Sequence, residues 1–149
     1  MGDNMRIDSN TVSGDYSFAF GRSVSVSSDY IAAFFSSSYK GKLGINEPDP
    51  TSTLHYDGSE ASAITDSDMS LDDNDHTLFV DGGAAVTLPD ADDCPGRIYY
   101  IRNTDTSNSS TITPDDCDIE RSGSYTLPAN EGIIIQNDGT NWWIIAEYD

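Results

Sequence analysis

Apolar residues along this chain come in short bursts, and most of them alternate with polar or small residues. In "KGKLGINEPDPTSTLHYDGS" (Lys40–Ser59), Leu43 and Ile45 flank a glycine, and Leu54 and Tyr56 flank a histidine. Between them Asn46-Glu-Pro-Asp-Pro excludes a helix, because proline lacks the amide that a helix needs and restricts the residue before it. The pattern predicts strand, stiff turn, strand, closed by Asp57-Gly58. No segment sustains a helical period, so the chain reads as all-β.

Upstream the same alternation repeats. Placing Asp15–Ser28 over Asp29–Lys42 sets Asp15 on Asp29, Tyr16 on Tyr30, Ala19 on Ala33, Phe20 on Phe34 and Ser23 on Ser37. One period earlier, Val12 falls on Val26 and Ser13 on Ser27. Short strands with small residues recurring in register predict a β-roll or short solenoid over residues 1–42. Gly14 and Gly21 are expected to turn its corners with positive φ. Residues 43–60 then form a strand-turn-strand neck.

Residues 61–75 ("ASAITDSDMSLDDND") are acidic and poor in apolar residues, and read as a connector. Residues 76–149 carry the runs "HTLFVD", "AAVTLP", "GRIYYIRN", "STITP", "CDIE", "SYTLP", "GIIIQN" and "NWWIIAEY". Turn residues punctuate them, which predicts an antiparallel sandwich or barrel, with the β-sandwich preferred. Asn137-Asp-Gly139-Thr joins the last two strands as a hairpin. Thr87-Leu-Pro89 before Gly96-Arg-Ile98 is echoed by Thr126-Leu-Pro128 before Gly132-Ile133, which suggests two similar hairpins. Ile98-Tyr-Tyr-Ile101, Ile133-Ile-Ile135 and Trp142-Trp-Ile-Ile145 are apolar at consecutive positions. Successive strand residues face opposite ways, so both faces of these strands need cover. One face meets the domain's own core, and the other calls for a further layer, such as a neighbouring chain.

Charge changes the picture most. The chain holds 26 Asp and Glu against 7 Lys and Arg, a net charge of −19 over 149 residues. Such a surface repels nucleic acid and anionic lipid. It suits either a calcium-rich acidic binder or a protein of strong brine, where the screening length falls to roughly 3 Å. Aspartate spread over every loop, with lysine only at Lys40 and Lys42, favours brine. No apolar run approaches the roughly 20 residues that cross a bilayer, and "MGDNMRIDSN" lacks the apolar stretch of a signal peptide.

Candidate chemistry is sparse. There is no nucleophile elbow, phosphate loop or zinc-binding histidine motif, so neither catalysis nor a cofactor is expected. Asp66, Asp68 and Asp72 are the best cation ligands, hard oxygens at close spacing, although the glycine and closing glutamate of a calcium loop are missing. His55 and His76 stand apart. Cys94 and Cys117 either pair or are two small buried residues. Asn108-Ser-Ser110 fits the N-glycosylation acceptor pattern. Tyr99, Tyr100, Trp142 and Trp143 are either core or a platform for a receptor, and Tyr99, Trp142 and Trp143 are carried forward as receptor-binding candidates.

The run Val12-Ser-Gly14-Asp-Tyr16-Ser17-Phe-Ala19-Phe-Gly21 resembles the head repeat of trimeric autotransporter adhesins and phage tail fibres. The second copy departs from it at Ser28, Ile31 and Phe35. Leu43-Gly44-Ile45, Pro50 and Leu54–Gly58 resemble the segment that closes such rolls. Residues 76–147 resemble the C-terminal domain of phage tail-fibre proteins. The resemblance implies an intertwined homotrimer. Ordering a backbone costs roughly 1–2 kcal/mol per residue, and barely two and a half turns with Ala, Val and Ser inside offset little of that. Val12, Ala19, Val26, Ala33, Ile45 and Leu54 are therefore expected at the trimer interface. The implied function is a viral fibre, spike or capsid-decoration protein on the virion surface of a virus of salt-loving cells. It would bind capsid or tail proteins and a host glycan or surface-layer protein, without membrane insertion. The alternative is a bacterial surface adhesin or secreted carbohydrate-binding module.

Overall fold

A computed structural model describes residues 10–35, 38, 40–66 and 69–149. Among them the chain is all-β, with fifteen strands and no helix. It divides into two compact units, Met1–Glu60 and Ala61–Asp149.

The first unit holds β1 (Thr11–Val12), β2 (Phe18–Phe20), β3 (Ser25–Val26), β4 (Ala32–Phe34), β5 (Leu43–Ile45) and β6 (Leu54–Tyr56). Strand β3 lies parallel to β1 with Val26 against Val12, and β4 lies parallel to β2 with Ala33 against Ala19 and Phe34 against Phe20. Each pairing joins residues fourteen apart, the period of the sequence repeat, so one copy stacks on the other. Polar side chains repeat the step: the Asp15 amide donates to the Asp29 carboxylate (2.7 Å), and the Ile31 amide donates to Ser17 Oγ (3.0 Å). In the neck, β5 and β6 are also parallel, with Leu43 against Leu54 and Ile45 against Tyr56.

The corners differ from the expected pair of glycines. Left-handed backbone falls at Tyr16 (φ 55°) and its counterpart Tyr30 (59°), and at Gly21 (136°) and its counterpart Phe35 (67°). Gly14 is needed for another reason. A Cβ there would run into the Ser28 carbonyl of the next turn.

The six positions expected between chains fall into two groups. Ala19 and Val26 are buried within their own unit with Val24, and Ala33 packs against them. They face into their own turn, so they fill this chain's interior rather than a neighbour's. Val12, Ile45 and Leu54 remain exposed.

The second unit contains β7 (Ile64–Asp66), β8 (Met69–Ser70), β9 (Thr77–Val80), β10 (Ala85–Leu88), β11 (Ile98–Asn103), β12 (Ser110–Pro114), β13 (Tyr125–Leu127), β14 (Gly132–Asn137) and β15 (Trp142–Tyr148). They form a five-stranded sheet, β15-β14-β11-β9-β7, and a four-stranded sheet, β13-β12-β10-β8. From β7 to β12 the chain alternates between the sheets, and each strand lies parallel to the one two before it. Only β13, β14 and β15 run antiparallel to their neighbours. The expected antiparallel arrangement is thus replaced by coils that visit both sheets, closed by antiparallel strands. Alternation of apolar and polar residues reports which face is buried, and it is silent on strand direction.

Residues 61–75, expected as a connector, carry β7 and β8 and bury Leu71. The run "CDIE" makes only bridges at Ile119. Leu78, Val80, Val86, Leu88, Tyr99, Ile101, Ile112, Leu127, Ile133, Ile135 and Trp142 point inward and form one core with Ile119.

The weak sequence echo corresponds to two sheet-to-sheet crossings, β10 to β11 and β13 to β14, rather than to hairpins. Each crossing ends in a buried asparagine that ties down the other. Asn103 Nδ2 donates to the carbonyls of Asn108 (2.9 Å), Pro128 (3.0 Å) and Leu127 (3.4 Å). Asn137 Nδ2 donates to the Cys94 carbonyl (2.6 Å), and its Oδ1 accepts from the Gly96 amide (3.0 Å). Both also brace their own turns, accepting from the amides of Asp105 and Gly139.

Candidate interaction face

The outer face of the five-stranded sheet is the surface that the doubly apolar strands leave uncovered. Pairing sets its rows. Tyr100 lies between Thr77 and Ile134, and Ala146 follows Ile134. Ile98, Gln136 and Trp143 form a second row. Phe79, Arg102, Gly132 and Tyr148 form a third. At Ile134/Ile135 the register shifts as a bulge, and Ile145 is left 60% exposed.

Aromatic rings cover much of this face. His76 stacks on Tyr100 with centroids 5.0 Å apart. The Tyr148 ring lies over Gly132, where a Cβ would collide with it, and the Arg102 guanidinium sits 6.0 Å above that ring. At the opposite corner Arg121 lies 5.7 Å over the Trp143 ring, whose Nε1 donates to Asp138 Oδ2 (2.7 Å). The remaining arginine of this unit, Arg97, donates to the Asp72 carbonyl. The four-stranded sheet presents a different surface, with Thr111, Thr113 and Thr126 exposed and no aromatic ring on β10 or β12.

Two of the three receptor-binding candidates are in the core. Tyr99 and Trp142 are 1% and 0% exposed and stack on each other at 5.4 Å. Strand alternation turns both inward, so neither can meet a receptor. Burial pushes the Tyr99 phenol up to about 12, and its hydroxyl donates to the Asp72 carbonyl. Trp143 alone stays half-exposed. Tyr100 and Phe79 on the same outer face carry the signal that was missed: they are the outward partners of the inward Tyr99 and Leu78.

Asp68 lies outside the described residues, and Asp66 is placed by its backbone in β7. The Asp72 carboxylate accepts from the amide of Asn74 (2.7 Å) within its own turn. Among the described residues no group of three His, Cys, Asp or Glu is placed to hold a metal. Cys94 and Cys117 are both free thiols. Cys94 Sγ donates to the Asp90 carbonyl while the Ala91 amide donates to Cys117, so the sulfurs flank one peptide unit, and burial raises both thiol pKa values. His55 Nδ1 accepts from the Thr51 amide.

In the first unit, Tyr16 and Tyr30 stack in parallel at 5.3 Å while 83% and 77% exposed. Phe18 and Phe34 meet edge to face at 5.9 Å and are about half exposed. Ile45, Leu54 and Tyr56 line an open depression, and Tyr56 donates to Glu60 (2.9 Å), which raises the phenol pKa.

No family model, curated protein or solved structure matches this chain.

Hydrogen bonds from the Asn141 amide, the Trp143 indole and the Thr140 amide hold the Asp138 carboxyl below its ordinary pKa. A depressed carboxyl contributes stability that is whole above an ordinary aspartate pKa near 4 and is lost as pH falls through the folded value. Acid titration is therefore expected to release the Trp143 indole, seen as a change in tryptophan emission that Trp143→Phe abolishes.

Proposed function

We propose that this chain is a homotrimeric fibre, spike or capsid-decoration protein of a virus of salt-loving cells. In this reading the stacked turns of the first unit are a short β-solenoid, and the two sheets of the second are a sandwich that forms the attachment head. Exposed apolar surface in a chain of net charge −19 is the observation that carries the reading. Val12, Phe18, Ile31, Phe34, Ile45 and Leu54 in one unit and Phe79, Ile98 and Tyr148 in the other all remain uncovered. Scattered apolar residues need no explanation on a monomer, but contiguous patches mark places where chains meet. Stacking of the fourteen-residue repeat in register adds support, since it is the arrangement that the adhesin and fibre resemblance implies.

Function here is attachment without chemistry. Three identical heads on one particle convert weak contacts with a host glycan or surface-layer protein into avidity. Three copies at −19 each carry −57, which only concentrated salt screens. Light scattering is expected to give a three-chain mass in concentrated KCl and a fall toward the single-chain mass on dilution. A single-chain mass in brine would overturn the assembly, and particles that bind host cells equally well without the protein would overturn the attachment role.

A further inference from the structure

We propose that copies of this chain meet through the outer face of the five-stranded sheet, each presenting the same face to the others. This rests on the assembly reading above and adds the surface that carries it in the second unit.

Charge selects the occupant. Residues 61–149 hold eighteen Asp and Glu against three Arg. Like-charged copies repel wherever carboxylates face one another, so close approach requires a surface cleared of them. On the edge strand β7 the register sets Asp66 at the end of the Phe79 row, but the outward positions of β9, β11, β14 and β15 contain no acid and include Arg102. What stands there instead is Phe79, Ile98, Tyr100, Ile134, Trp143 and Tyr148. Ile98 and Ile134 stand among the rings and offer a sugar no hydrogen bond, whereas an apolar surface of a second copy covers them. Both arginines that reach the face lie over rings, Arg102 on Tyr148 and Arg121 on Trp143, so neither stands as a bare charge on it.

Area limits what the face does alone. Five strands at about 4.8 Å spacing, with about five residues each at about 3.3 Å, span roughly 400 Å². A stable interface takes roughly 800 Å² from each partner. The face therefore contributes part of the contact, and the exposed apolar positions of residues 10–60 supply the rest.

The test uses the full chain in concentrated KCl, sized by chromatography with light scattering. Far-UV circular dichroism and the emission of buried Trp142 report the fold. Ile134→Glu plants a carboxylate at the centre of the face, and Thr113→Glu plants one on the opposite sheet as control. Wild type and T113E are expected at a three-chain mass, and I134E at one third of it with its fold retained. Should I134E fail to fold, Ile64→Glu decides, because Ile64 extends the Thr77–Tyr100–Ile134 row onto β7 and is 70% exposed. An assembled wild type with an equally assembled I134E, or with an equally assembled I64E where I134E does not fold, overturns this face while leaving the assembly intact. Face variants that stay assembled but lose host-cell binding also overturn it, and assign the face to the receptor. A wild type that is itself single-chain overturns the underlying assembly reading.

Discussion

Asn103→Leu is expected to cost about 3–4 kcal/mol, because it removes at once the donor to three loop carbonyls and the acceptor of the Asp105 amide. Asn103 is 0% exposed, and its Nδ2 holds the carbonyls of Asn108, Leu127 and Pro128 while Oδ1 receives the Asp105 amide. Leucine has similar volume, so the core stays filled and the penalty comes from stranded polar groups. Each buried acceptor left unpaired costs about 1–3 kcal/mol, and domains of this size hold only about 5–15 kcal/mol in total. Denaturant unfolding in concentrated KCl measures it, and a loss under about 1 kcal/mol would show that the loops do not depend on this clasp. Asn103→Asp sharpens the test. A carboxylate buried among carbonyls has its pKa raised, so that variant is expected to gain stability as pH falls, where it can donate a proton, and to lose it as pH rises through the folded value.

Trp142→Ala is expected to cost about 3–5 kcal/mol, the range for deleting a large buried aromatic side chain. Its ring stacks on Tyr99, its Nε1 donates to the Pro89 carbonyl at 3.0 Å, and its backbone bridges to the 118–120 loop. Trp143→Ala, one residue away on the outer face, is expected to stay within about 1 kcal/mol in the isolated chain. A larger loss at Trp143 than at Trp142 would mean that β15 is turned the other way, and with it the whole assignment of inner and outer faces. The pair reads out in a single denaturant series.

Much of the first unit was legible because parallel stacking sets equivalent residues at the same height. Tyr16 over Tyr30 and Ala19 over Ala33 show as a repeat in the amino-acid sequence itself. The corners were less legible, since Gly14 marks a close approach between turns and not a left-handed turn. In the second unit, all-β character and the Asn137-Asp-Gly139 hairpin could be read directly. Strand direction could not be: "AAVTLP" and "STITP" alternate identically whether they pair parallel or antiparallel. Coils of unequal length hide the repeat, because Thr77 pairs with Ile64 on one side and with Tyr100 on the other. The candidate face suffered from one further ambiguity. Strands apolar on both sides do not say which side is inward, so inward Tyr99 and Trp142 look the same in the amino-acid sequence as outward Tyr100 and Trp143.

One collision in the first unit acts as a stop sign for growth of the stack. Glycine stands at position 14, where the Ser28 carbonyl of the next turn lies against it, and serine stands at the equivalent position 28. Copying fourteen residues into this segment would lengthen it by about 4.8 Å, but only if Ser28 were also changed to glycine. Whether a further turn can close against position 28 is thus expected to depend on a single Cβ.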